Sequence, residues 1–203
     1  MRRPRDSAAT RAVILDAAEE VFLERGFGQT ALSEIARRAD VTKSLIHHHF
    51  GSKGGLWTEV KQRRFAEYAS RQLEMLRGAS ASVELLSESF RFYFRFLEQN
   101  PQLVRIMAWL FLEPQENETC LDMDRELVRA GVEVLREGQE KGLIRKDLDA
   151  RFILFIFIGL AQHWHQDRRH FLHDFASEDL PDDINAAYLH NALQILLEGV
   201  VAR

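Results

Sequence analysis

The chain is poor in the residues that staple or punctuate small folds: it has one cysteine, Cys120, and four prolines among 203 residues. A lone cysteine excludes an internal disulfide, and with no histidine or basic pocket beside it in sequence, a buried or idle thiol is the simpler reading. Long apolar runs are missing too. The longest, Phe152 to Ala161, spans ten residues, which suits a buried or interface helix and falls well short of the ~20 that cross a bilayer. The basic start MRRPRDSAATR has no apolar stretch behind it of the kind that directs export, so a cytoplasmic location and no membrane partner are expected. There is no P-loop, no G-x-S-x-G, no H-E-x-x-H and no Cys/His pair at a suggestive spacing, which argues against an enzyme. Strong positive charge is absent as well. The formal net charge is −4, unlike that of a protein that binds nucleic acid by charge alone.

What is present is helical rhythm. The hydrophobic fraction of 46% supports a proper core, and apolar residues recur at three- and four-residue spacings along most of the chain. A first helix is expected from Ser7 or Thr10 to Arg25, with Ile14, Ala17, Ala18, Val21 and Phe22 inward, Gly26 as its stop and Phe27 as a core plug. Ser52 caps a long helix to about Arg77, and another runs from about Ser82 to Gln99. Asn100-Pro101 opens the next, and Thr119 to Asp122 resembles a capping box for a helix ending at Gly142. An eighth helix starts near Asp147 or Asp149 and holds the apolar run. Residues 167 to 181 read as a charged, aromatic linker, and a last helix spans about Asp183 to Val201. The charge divides unevenly. Residues 1–53 carry nine Lys/Arg against seven Asp/Glu, a charge of +2, and residues 54–203 carry eighteen against twenty-four, a charge of −6.

Thr30 to Lys53, TALSEIARRADVTKSLIHHHFGSK, is the most informative stretch. Thr30 is an expected N-cap for a short helix whose Leu32, Ile35, Ala36 and Ala39 share a face. Asp40 then stands in a tight turn, where Asp is among the few non-glycine residues that tolerate left-handed backbone. Thr42 caps a second short helix. On it Ile46 and Phe50 point to the core, Ser44 and His48 lie roughly opposite, and Leu45 and His47 flank them. A braced helix offering exposed hydrogen-bonding groups after a tight turn is how a helix-turn-helix meets the DNA major groove.

Through Ile14, Ala17, Ala18, Phe22, Gly26, Phe27, Thr30, Ile35, Ala36, Ala39, Val41, Lys43, Phe50, Lys53 and Leu56, the first quarter of the chain resembles the DNA-binding domain of TetR-family transcriptional regulators. It departs from the family pattern at Asp40, where Gly is common, and at His47, where Tyr is common. The resemblance implies an all-α fold of about nine helices. Residues 1–53 would form a three-helix DNA-binding domain, and residues 54–203 a larger helical effector-binding and dimerisation domain. It further implies a ligand-responsive regulator, usually a repressor, that binds a palindromic operator in double-stranded DNA as a homodimer. DNA contacts are expected from Thr30, Thr42, Lys43, Ser44, Leu45, His47, His48 and Lys53, with Lys53 on a phosphate.

The resemblance also implies a small-molecule pocket. Phe90, Phe94, Met107, Trp109 and Phe155, with His163 near the rim, would suit an apolar or aromatic effector, although each alone also fits ordinary core packing. Pairing with a second copy is expected through residues 149–166 and 183–201. The run Phe152 to Leu160 is apolar on more than one side, so it can serve a core, an interface or both. Consecutive His47, His48 and His49 diverge on a helix and cannot share a metal ion. His163, His165, His170 and His173 lie close enough to make a metal conceivable, but no cysteine or carboxylate spacing supports one, so no metal or other cofactor is expected. A transcriptional activator of the same fold, an enzyme or a helical protein-interaction module without DNA remain as alternatives.

Overall fold

The computed structural model describes residues 7–112, 122–175 and 180–202, with the side chains of 109–112 and 122–124 outside that description. Nine helices occupy the described residues: α1 (Ser7–Gln29), α2 (Leu32–Arg38), α3 (Lys43–Phe50), α4 (Lys53–Gly78), α5 (Val83–Gln99), α6 (Pro101–Leu112), α7 (Asp122–Glu140), α8 (Ala150–Asp174) and α9 (Ile184–Val200). The chain divides into two compact units. One comprises Met1–Ala66 with Arg105–Leu121, the other Glu67–Val104 with Asp122–Arg203, so α4 and α6 each contribute residues to both.

The first unit is built around Ile14, Ala18, Val21, Phe22, Ile35, Ile46, Leu56, Trp57 and Val60, each buried. Burial of each large side chain contributes roughly 1.5–3 kcal/mol. Gly26 adopts φ 75°, which breaks the regular path of α1 and puts Phe27 against Phe22 and Trp57, with ring centroids 6.0 and 5.9 Å away. Glu19, buried on α1, is bound by both Arg63 and Arg64 of α4. Arg63 also holds Asp16 at 2.7 Å, Arg38 of α2 holds Glu24 at 2.8 Å, and Arg25 holds Glu34 at 2.9 Å. Gly55 is required where it stands. A Cβ there would sit 2.2 Å from the Phe50 carbonyl oxygen, so only glycine lets the start of α4 lie this close to the end of α3.

In the second unit Phe90, Phe94, Leu97, Phe157, Ala161, Trp164, Leu193 and Leu196 form the interior of α5, α8 and α9. Its aromatic layers are continuous: Trp164 stacks on Tyr188 at 4.1 Å, Tyr188 on Phe94 at 5.9 Å, and Phe90 meets Phe157 edge-on at 5.0 Å. Polar atoms within this layer are paired across helices. The Trp164 indole N–H and Arg168 both donate to Asn185 Oδ1, at 2.9 and 3.0 Å, and Asn185 donates to Glu98 at 2.6 Å. An isolated antiparallel bridge between Ile144 and Val201 ties the turn after α7 to the end of α9.

Several boundaries differ from expectation. α8 continues to Asp174, so the expected linker from 167 is helical in its first half, where Phe171 meets Trp164 edge-on at 5.9 Å and Phe175 at a tilt at 4.8 Å. Asn100 turns its amide back to the Phe96 carbonyl at 2.8 Å, closing α5, while its backbone carbonyl opens α6 by accepting from Leu103. Residues 119–121 of the expected capping box lie outside the described residues.

Candidate nucleic-acid interface

The turn before α3 forms by local chemistry. Asp40 takes φ 51°, the left-handed conformation its short polar side chain tolerates, and the Val41 N–H returns to the Ala36 carbonyl at 2.9 Å. Thr42 then caps α3, its hydroxyl accepting from the Leu45 N–H at 3.3 Å. Ile46 and Phe50 are buried against the first unit's core, and the Arg11 guanidinium lies 5.1 Å from the Phe50 ring centroid. That leaves Thr42, Lys43, Ser44, His47 and His48 exposed and Leu45 half-buried. Thr42 Oγ1 and Ser44 Oγ are 2.9 Å apart and share one hydrogen. His47 is fixed differently, its Nδ1 donating to the Gly51 carbonyl at 2.9 Å. Arg37, in the last turn of α2, is a further exposed cation beside this helix. Sequence reasoning passed over it because it lies off the α3 face that carries the other groups.

Two expected contact residues are placed elsewhere. Thr30 is buried, and its hydroxyl donates to the Gly26 carbonyl at 2.6 Å. Ala31 therefore holds the N-cap position of α2, without a side-chain bond. The Thr30 side chain closes the end of α1, where the turn at Gly26 frees a carbonyl, and its hydroxyl does not face outward. Lys53 is turned inward as well. Its ammonium donates to the carbonyls of Phe27, Gly28 and Thr30 at 2.7, 3.3 and 2.9 Å, and it sits 4.3 Å from the Phe27 ring centroid. All three ammonium hydrogens have acceptors, so the side chain brackets the loop between α1 and α2 and has no spare donor for a phosphate. The N-terminus of α4 is capped by Ser52, whose hydroxyl accepts from Gly55 at 3.0 Å.

The expected effector residues separate. Phe90 and Phe94 are fully buried, with ring centroids 6.4 Å apart. Phe155 is 73% exposed, and His163 is exposed too. Both lie on the side of α8 away from Phe157, Ala161 and Trp164, so neither lines the interior of this unit; the 100° step of the helix turns them outward. Met107 is half-buried and belongs to the first unit, and the Trp109 side chain is outside the described residues. Two polar residues that were not among the expected effector residues stand in the second unit's interior. Gln72 is buried with no partner for its Oε1 among the described residues. The Tyr68 hydroxyl has its pKa raised well above the usual range, first by burial and then by neighbouring Tyr93.

His165, also on α8, donates from Nε2 to the Phe94 carbonyl at 3.1 Å. Burial first, and then the Arg168 charge, push its pKa down to about 4. Among the described residues no three His, Cys, Asp or Glu side chains are grouped to hold a metal ion. No helix among them is long and apolar enough to cross a membrane.

The comparisons agree with this geometry. The family model for bacterial regulatory proteins of the tetR family matches residues 14–60, and that for the tetracyclin repressor-like C-terminal domain matches residues 91–192. The HTH-type transcriptional repressor NicS of Pseudomonas putida is 25% identical over 184 residues, 89% of this chain and 86% of that protein. The HTH-type transcriptional repressor SCO4008 of Streptomyces coelicolor is 28% identical over 162 residues, 77% and 79% of the two chains. The fold is shared with a TetR family transcription regulator from Marinobacter aquaeolei VT8, at a TM-score of 0.70 and 17% identity over 100% of both chains. With a helix-turn-helix that leaves α3 exposed and family matches at both ends of the chain, this protein belongs to the TetR family of DNA-binding transcriptional regulators.

Proposed function

We propose that the chain is a repressor that occupies a palindromic operator as a homodimer and leaves it when a small molecule binds. Residues 1–53 act as the reader, and residues 54–203 receive the ligand and the second copy. The observation that carries this reading is the exposed outer face of α3, with Lys43, Ser44, His47 and His48 on a helix pinned from behind by Ile46 and Phe50. One such helix reads only a few base pairs. A two-fold dimer reads two half-sites roughly 34–36 Å apart, or a multiple of that. Supporting a dimer, Phe152, Phe155 and Ile156 of α8 and Ile195 of α9 are 54–73% exposed, an apolar face that calls for a partner.

The effector is apolar or aromatic in this reading, received among the aromatic residues of α5 and α8 around Phe90 and Phe94. The unpaired Gln72 acceptor suits a ligand that also carries an N–H or O–H group. The α4 helix contributes residues to both units and is the covalent path by which ligand binding shifts the reader. The test is a gel shift with DNA from around the protein's own gene. A sequence-specific, salt-sensitive complex that disappears when Ser44 and His48 are both changed to Ala supports the reading. No complex with any promoter sequence would sink it, and a helical interaction module would then reveal a protein partner instead.

A further inference from the structure

We infer that His47 is a base-reading acceptor, one that selects the exocyclic amino group of adenine or cytosine in each half-site. This rests on the reading above, in which α3 enters the major groove. A carbonyl oxygen only accepts, so the 2.9 Å contact between His47 Nδ1 and Gly51 O puts the ring hydrogen on Nδ1. In the neutral ring Nε2 is then bare. His47 is exposed, and Nδ1 is anchored to the backbone at the C-terminal end of its own helix, so Nε2 is the ring nitrogen left to meet DNA. A lone pair there is repelled by phosphate oxygens and by the O6 and N7 of guanine. In the major groove its complements are the N6 amino group of adenine and the N4 amino group of cytosine.

The anchor sets His47 apart from its neighbours. His48 and His49 make no such bond among the described residues; their rings meet each other edge-on at 5.3 Å. The other end of α3 has the opposite character. Lys43 carries only donors, and the Thr42 and Ser44 hydroxyls spend one hydrogen on each other, leaving one to donate. The helix therefore presents the donor-only Lys43 and mixed hydroxyls at its start and an acceptor near its end, an asymmetry that orients it on a duplex as well as selecting bases.

The test begins with selection of the full-length protein's preferred duplexes from a random-sequence pool at fixed salt. One position per half-site should be held as adenine or cytosine. Replacing that base by its analogue without the amino group, purine for adenine or 2-pyrimidinone for cytosine, should weaken wild-type binding about tenfold. The His47→Ala protein should be indifferent to the replacement, and His47→Arg, which has donors only, should move the preference to guanine. Circular dichroism monitors the folding of both variants; if either fails to fold, the amino-deletion series on the wild type decides alone. Two results overturn the inference while leaving the DNA-binding reading intact. One is wild-type indifference to every amino deletion. The other is a His47→Ala loss that is equal on all duplexes, the mark of a phosphate contact. A pool that yields no preferred sequence overturns both.

Discussion

Lys53 shows how a charged side chain expected on DNA can serve the fold. Three carbonyls of the loop between α1 and α2 converge on its ammonium, and that loop sets the direction in which α2 departs. Lys53→Met would leave those carbonyls without their donor and should lower stability by about 1–3 kcal/mol in urea unfolding. Operator affinity should fall as well, but with the slope of log affinity against log salt unchanged. A phosphate contact would instead reduce that slope by about 1. The contrast with Asp40 and Thr42 explains what was legible in the chain. Their roles depend on backbone within three residues, so residue chemistry alone announced a left-handed turn and a cap. Lys53 meets a carbonyl 26 positions away, a pairing that no local pattern announces, and Thr30 donates back to a carbonyl four positions earlier where its place before α2 suggested a forward cap.

At the scale of elements, α8 joins three helices through one buried face. His165 is neutral there, its pKa pushed down to about 4 by burial and Arg168, against about 6.5 in an unfolded chain. The sign follows from proton uptake. Between those values the unfolded chain binds a proton that the folded one does not, so this contribution is complete above pH 6.5 and is lost as the pH falls toward 4. It amounts to on the order of 1–2 kcal/mol once the half-exposed position of the ring is allowed for. Thermal unfolding from pH 7 to pH 4 should show this decline, and His165→Gln, which keeps a donor for the Phe94 carbonyl, should flatten it. An unchanged slope in the variant would remove His165 as its source. The existence and start of α8 were legible from its apolar run and the Asp149 cap, but its length was not. Its last turns are polar outside and carry ring contacts among Trp164, Phe171 and Phe175, and in sequence they look like a charged linker. Phe155 was misplaced for a related reason: an all-round apolar run does not say which side is inward until α5 and α9 pack against it.

At the scale of the whole molecule, the exposed apolar residues of α8 and α9 decide the proposed assembly. Phe155→Glu together with Ile195→Glu places charge where both side chains are at least 70% exposed in the single chain, so the folded subunit should be little affected. Light scattering should give the mass of one chain with helical content retained, and operator binding should weaken by orders of magnitude as one half-site is lost. A variant that still has the mass of two chains would locate the interface elsewhere. The expected division after residue 53 came with the family resemblance; the compact units instead part between Ala66 and Glu67 and place Arg105–Leu121 with the first, a sharing of α4 and α6 that was not legible because a continuous helix carries no mark of where its neighbours change.

The ion pairs of the first unit bear on how it meets DNA of no particular sequence. Asp16, Glu19, Glu20, Glu24, Glu34 and Glu59 are each bound to an arginine of the same unit, so much of the unit's positive charge is consumed internally. Arginines engaged in this way displace fewer counterions from a duplex, so the affinity for DNA of random sequence should be low and should change little with salt, which titration of a random duplex at two salt concentrations checks.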